Sequence, residues 1–125
     1  MLTDLEKNAI RDHYQNIGKN LPGFRPRASQ REMIAAIANA FSRTLTREEG
    51  EEAPKREGES IAVIEGPTGV GKSLAYLLAG GIMAQTRGKW LIVSSATVAL
   101  QEQLVDRDLP FLVEKSGLEL TFALA

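Results

Sequence analysis

The chain of 125 residues has no cysteine, so disulfides and thiolate-held metal clusters are excluded and the redox compartment stays open. Its one histidine, His13, has no metal-ligating or nucleophilic neighbour in sequence and reads as a surface or partly packed side chain. No apolar run approaches the roughly 18 residues a membrane span requires. An excess of either charge is missing as well: 15 Lys and Arg stand against 16 Asp and Glu. A net charge of −1 exerts no global pull towards nucleic acid or an anionic membrane, so any DNA contact must come from local groups. The opening Met1-Leu2-Thr3-Asp4-Leu5-Glu6 is polar and acidic, unlike a secretory signal. With 43% hydrophobic and 25% charged residues, the composition is that of a soluble globular protein with one core, and a cytoplasmic location is expected.

What the chain does have is Gly66-Pro67-Thr68-Gly69-Val70-Gly71-Lys72-Ser73, a full match to G-x-x-x-x-G-K-[ST]. Glycines at these positions let the backbone turn so that consecutive N–H groups converge on one anion. Lys72 then reaches the terminal phosphates, and the Ser73 hydroxyl is placed to ligate magnesium. The β-branched run Ile61-Ala62-Val63-Ile64 before the motif reads as a buried parallel strand. Leu74-Ala75-Tyr76-Leu77-Leu78 after it begins a helix whose amides and dipole add to the anion site. Strand, loop and helix in this order predict binding of a nucleoside triphosphate.

Thr3-x-x-Glu6 has capping-box form and opens a helix within residues 1–22, with Leu5, Ala9, Ile10, Tyr14 and Ile17 apolar. Ser29-x-x-Glu32 is a second such box, ahead of a helix that carries Met33, Ile34, Ile37 and Phe41 on one stripe within 24–42. Residues 47–60 are charged and poor in apolar side chains, and read as a solvated loop. After the phosphate loop a helix is expected to about Gln85, weakened by Gly80-Gly81. Trp90-Leu91-Ile92-Val93-Ser94 reads as a second strand with Trp90 in the core. A third helix spans Val98 to Val105, Pro110 ends it or starts a short turn, and Leu118 to Leu124 reads as a third strand. The pattern predicts an α/β fold with a parallel sheet of about three strands flanked by helices, βαβαβ over 61–125. A last apolar strand without a polar tail suggests truncation, and its unfinished edge would promote self-association.

Four segments together resemble the DinG family of helicases, relatives of XPD in helicase superfamily two. Phe24-Arg25-Pro26-Arg27-Ala28-Ser29-Gln30-Arg31-Glu32-Met33-Ile34 looks like the family's Q-motif segment, and Glu65 to Ser73 is helicase motif I. Ser94 to Leu104 is similar to motif Ia, followed by Asp108-Leu109-Pro110, and Ser116 to Ala125 resembles the strand before the family's cysteine-bearing insertion. The resemblance implies the N-terminal part of a RecA-like first motor domain, from an ATP-dependent helicase that moves 5′ to 3′ on DNA and acts in repair. It also implies that Gln30 reads the adenine edge, with Arg27 a second contact at base or ribose. Lys72 and Ser73 keep their phosphate and magnesium roles, while Ser95, Thr97 and Gln103 would touch the phosphates of a single DNA strand.

Two departures stand out: Pro67 where the family usually has alanine, and Ser73 in place of threonine. No Asp-Glu-x-His stretch follows motif I, and none of the cysteines that hold an iron–sulfur cluster in many members is present. The piece is therefore expected not to unwind DNA alone. Two other readings remain open, a small phosphate-loop kinase or NTPase that never touches DNA and a non-catalytic fragment that self-associates. Thr97 also has a plain role as a helix cap, Gln103 as a water-facing residue and Gln30 as a first-turn residue.

Overall fold

The computed structural model describes residues 2–43, 61–65 and 71–124; the charged segment 47–60 and residues Gly66–Val70 lie outside the described residues. Five α-helices carry the structure: α1 (Asp4–Asn20), α2 (Ala28–Ser42), α3 (Lys72–Thr86), α4 (Val98–Gln103) and α5 (Leu109–Ser116). Thr3 starts α1 as expected, because its hydroxyl accepts from the Glu6 N–H while the Glu6 carboxylate accepts from the Thr3 N–H. At α2 the expected box does not form. The helix begins one residue before Ser29, with Arg27 at the N-cap and no side-chain cap. Gln30 occupies the buried side of the first turn instead.

The middle of the molecule is α3. Ala75 and every residue from Leu77 to Met83 are buried, so this helix must be covered on all sides. α2 lies along it most extensively, and α1 and α5 close other faces. Gly80-Gly81 does not interrupt the helix; the two glycines are where neighbours come closest. A Cβ at Gly80 would stand 2.9 Å from both Leu91 methyls, and one at Gly81 3.0 Å from a Leu120 methyl. The helix absorbs the propensity cost of about 1 kcal/mol per glycine because the missing methyls admit these leucines. The core joins Tyr14, Ile17, Met33, Ile34, Leu78, Ile82, Leu104, Leu112 and Leu118.

The expected helix over Val98–Val105 continues past Pro110 to Ser116. A π-helical turn, Leu104–Asp108, joins α4 to α5, and the Leu109 N–H bonds the Leu104 carbonyl five residues back. Proline lacks the N–H that a regular turn would need and crowds the carbonyl four residues earlier. Here Pro110 sits in the first turn after the widened one, where those demands are relaxed.

The α/β expectation is overturned. Of the described residues 65% are helical, and none forms a strand or sheet. The three stretches read as strands, 61–64, 90–94 and 118–124, have no ladder hydrogen bonds to one another among the described residues. A parallel sheet gains its stability only when both faces are covered. Val63, Trp90 and Ile92 are 96%, 93% and 85% exposed, so Trp90 is not a core residue. The alternation survives without the ladder: Leu118 and Leu120 pack on α3 while Glu119 and Thr121 face out. Gln85 on α3 fixes this segment by donating to the Glu119 carbonyl at 2.8 Å.

Polar ties hold the helix ends. His13 Nδ1 lies 2.9 Å from the Ser116 carbonyl, which also accepts from Asn16, and Asn20 donates to the Lys115 carbonyl. At the opposite end Glu6, not Leu5, is the buried residue of the first turn of α1. Its carboxylate takes two hydrogen bonds from Arg87, at 2.9 and 3.3 Å, and one from Thr86 at 3.2 Å. Arg87 also donates to the Ser42 carbonyl, so one guanidinium joins the start of α1 to the ends of α2 and α3. Arg87 holds the Glu6 carboxyl down to about 2, against the opposing effect of burial, and Thr3 assists. In the unfolded chain this carboxyl takes up its proton near 4.5, so between 4.5 and 2 the unfolded state binds more protons. The tie therefore contributes fully above pH 4.5 and is lost as pH falls towards 2. Arg87→Ala is expected to cost about 3 kcal/mol at pH 7 by urea denaturation, and to flatten the acid limb of the stability–pH curve.

Candidate nucleotide site

The last glycine of the phosphate-loop motif, Gly71, stands at φ 76 and ψ 47, the left-handed conformation, and is the N-cap of α3. A side chain would be strained there. It would also collide, since a Cβ at Gly71 would lie 2.2 Å from Gln30 Nε2. The Gly71 carbonyl accepts the first helical bond from the Ala75 N–H at 3.1 Å and a second from Gln30 Nε2 at 3.2 Å, which fills both of its lone pairs. Lys72 follows in the first turn with its side chain exposed, and Ser73 is half-buried beside it. Among the described residues no side chain caps the start of α3, and its first turn holds no acidic residue, so the positive end of its dipole faces no carboxylate of that turn.

Gln30 is the residue that joins the two predicted halves of the site. It is 4% exposed, and its Oε1 accepts from the Tyr14 hydroxyl of α1. Tyr14 is itself held edge-on by Phe24, with ring centres 5.7 Å apart at 69°. Burial pushes the Tyr14 phenol up, opposed by a hydrogen bond from the Arg27 backbone and by the charge of Arg31, so the hydroxyl stays protonated at neutral pH. The sequence flagged Gln30 and Gly71 separately, and the fold brings them into contact. It did not flag Tyr14, which read only as part of an apolar stripe. The available signal was a hydroxyl-bearing ring in that stripe, because a buried phenol needs a partner.

Ser95, Thr97 and Gln103 gather at the start and end of α4. Thr97 caps that helix, its Oγ1 accepting from the Leu100 N–H at 3.2 Å, and the Ser95 carbonyl accepts from Gln101. Thr97 and Gln103 are exposed and Ser95 is half-buried. Ser95 also lines an open groove of about 360 Å³ with Ile37, Phe41, Tyr76 and Leu91. Arg27, at the N-cap of α2, is exposed. Gly66, Pro67, Thr68, Gly69 and Val70 lie outside the described residues. Among the described residues, no three His, Cys, Asp or Glu side chains converge as a metal cluster. Among them, too, no helix is long and apolar enough to cross a membrane.

Replacing Gly71 by alanine combines left-handed strain of about 1–2 kcal/mol with displacement of Gln30. Gly88, at φ 62, has no atom within 4 Å of where a Cβ would stand, so Gly88→Ala isolates the strain alone. Urea denaturation should find Gly71→Ala the more destabilising of the two by about 1 kcal/mol or more.

No family model matches the chain. Proteins named ATP-dependent DNA helicase DinG do. The one from Photobacterium profundum is 41% identical over 125 residues, all of this chain and 17% of its own length. Those from Salmonella typhimurium and Escherichia coli are 44% and 43% identical over 111 residues, 89% of this chain and 14% of theirs. The chain spans 14–17% of the length of these curated relatives. By sequence it belongs to the DinG family, as the homologue of a short stretch of those helicases.

Proposed function

We propose that this chain supplies the ATP-phosphate site of a DinG-type, ATP-dependent DNA helicase. One observation carries the reading: the final glycine of the G-x-x-x-x-G-K-[ST] motif stands left-handed at the head of α3, with Lys72 next to it and exposed. Backbone N–H groups of the Gly66–Gly71 loop, Pro67 excepted, would wrap the phosphates, Lys72 would neutralise the terminal ones, and Ser73 would ligate magnesium. Bound magnesium would supply charge neutralisation across the phosphates. The names of the relatives, all ATP-dependent DNA helicases, support the same reading.

Gln30 remains the base reader in this proposal. Its carboxamide has two N–H groups and two oxygen lone pairs, and Gly71 and Tyr14 take one of each. One donor and one acceptor are left for an adenine edge, with Arg27 alongside. Ser95, Thr97 and Gln103 would meet the phosphates of single-stranded DNA in the whole protein, which would translocate 5′ to 3′ and serve repair. An iron–sulfur cluster in that protein would draw its ligands from outside this cysteine-free chain. Hydrolysis needs an activated water and a second magnesium carboxylate, and the chain has no Asp-Glu-x-His stretch to provide them. It should bind nucleotide without turning it over.

Calorimetric titration of magnesium-ATP into the 125-residue chain tests this. Binding is expected, and Lys72→Ala should weaken it by at least about tenfold, the size of one charge-assisted phosphate contact. Equal heats from both proteins would refute the assignment of Lys72.

A further inference from the structure

Three helices meet in a directional hydrogen-bond chain beside the phosphate loop. The Tyr14 hydroxyl of α1 donates to Gln30 Oε1 on α2, and Gln30 Nε2 donates to the Gly71 carbonyl at the head of α3. The Gly71 carbonyl that meets Gln30 can only accept, so the amide nitrogen points towards it and the amide oxygen towards α1. An amide turned the other way would set two oxygens against each other at Gly71. The oxygen that faces α1 is buried and takes its hydrogen bond from Tyr14.

We propose that Tyr14 is a positioning residue of the nucleotide site. Its hydroxyl fixes the Gln30 carboxamide in the orientation that binds Gly71, and so holds the exit of the phosphate loop in its left-handed form before nucleotide arrives. This rests on the nucleotide-phosphate reading of Gly66–Ser73. Without the hydroxyl, Gln30 Oε1 loses its buried partner, and the carboxamide gains by turning away towards water. The Gly71 carbonyl then loses its second donor. The consequence reaches the phosphates as well as the base, because Gly71 is where the loop meets α3.

The test compares magnesium-ATP with inorganic tripolyphosphate, which has no base, by calorimetry on the 125-residue chain. Tyr14→Phe is expected to weaken tripolyphosphate about three- to tenfold, as loss of one net hydrogen bond implies, and magnesium-ATP by at least that factor, because Gln30 is also the proposed base contact. Gln30→Glu should weaken tripolyphosphate at least as much, since a carboxylate accepts from Tyr14 but sets an acceptor against the Gly71 carbonyl. His13→Ala, which removes a hydrogen bond between α1 and α5, serves as the control for general loosening of α1 and should leave both affinities unchanged. In the unaltered chain, NMR should find the Gln30 side-chain N–H protected from exchange; an unprotected amide overturns the proposal whether or not Tyr14→Phe folds. So does a Tyr14→Phe chain with unchanged affinities, or one that loses ATP but keeps tripolyphosphate, which would place Tyr14 at the base. If the unaltered chain binds neither ligand, the nucleotide reading falls and the proposal with it, whereas binding that ignores Tyr14 sinks the proposal alone.

Discussion

Everything described in this molecule is arranged around one helix that is apolar on all sides. From Leu77 to Met83, α3 buries each successive residue, and a helix without a polar face cannot remain at a surface. Covering it recruits α2 along one side, α1 and α5 along others, and the leucines of the irregular segments at Gly80 and Gly81. The helix that must be covered is also the one that begins at Gly71. The hydrophobic constraint therefore fixes the position of Lys72 and Ser73 as firmly as any local bond.

Apolar packing is non-directional, and two polar knots give it register. At the C-terminal end of α3, Arg87 bonds Glu6 and the Ser42 carbonyl and so aligns α1 and α2 with α3. At the N-terminal end, Gln30 and Tyr14 set the same three helices relative to Gly71. Both knots join residues far apart in sequence, and both use buried groups whose polar atoms are satisfied. Among the described residues no fully buried side-chain nitrogen or oxygen lacks a partner, which is what a uniquely packed helical core demands.

The helices were legible in the residues because their signals are local. Thr3 and Glu6 cap α1 three residues apart, and the α3 limit near Gln85 falls one residue from the observed end. Strands have no such local closure. Ile61–Ile64 and Trp90–Val93 carry the composition of buried strands, yet a strand exists only when another segment accepts its hydrogen bonds, and here none does among the described residues. The same difference explains Trp90: its size argues for burial, but its surroundings decide it, and it is 93% exposed. Pro110 misled in the other direction, since a π-helical turn ahead of it lets the helical path continue.

For the candidate site the division follows the range of the interactions. The sequence by itself determined the phosphate-loop motif, because a glycine spacing followed by Lys72 and Ser73 is a property of eight adjacent residues, and the kinship with the DinG helicases, which four segments carry together. It also singled out Gln30. Only the tertiary structure decided that Gln30 would be buried, bonded to Gly71 across 41 residues and steadied by Tyr14 across 16. It alone decided that Glu6, rather than Leu5, would turn inward to meet Arg87. The reason is common to all three: a buried polar group needs a partner close by in space, and the chain acquires those partners only when its helices pack.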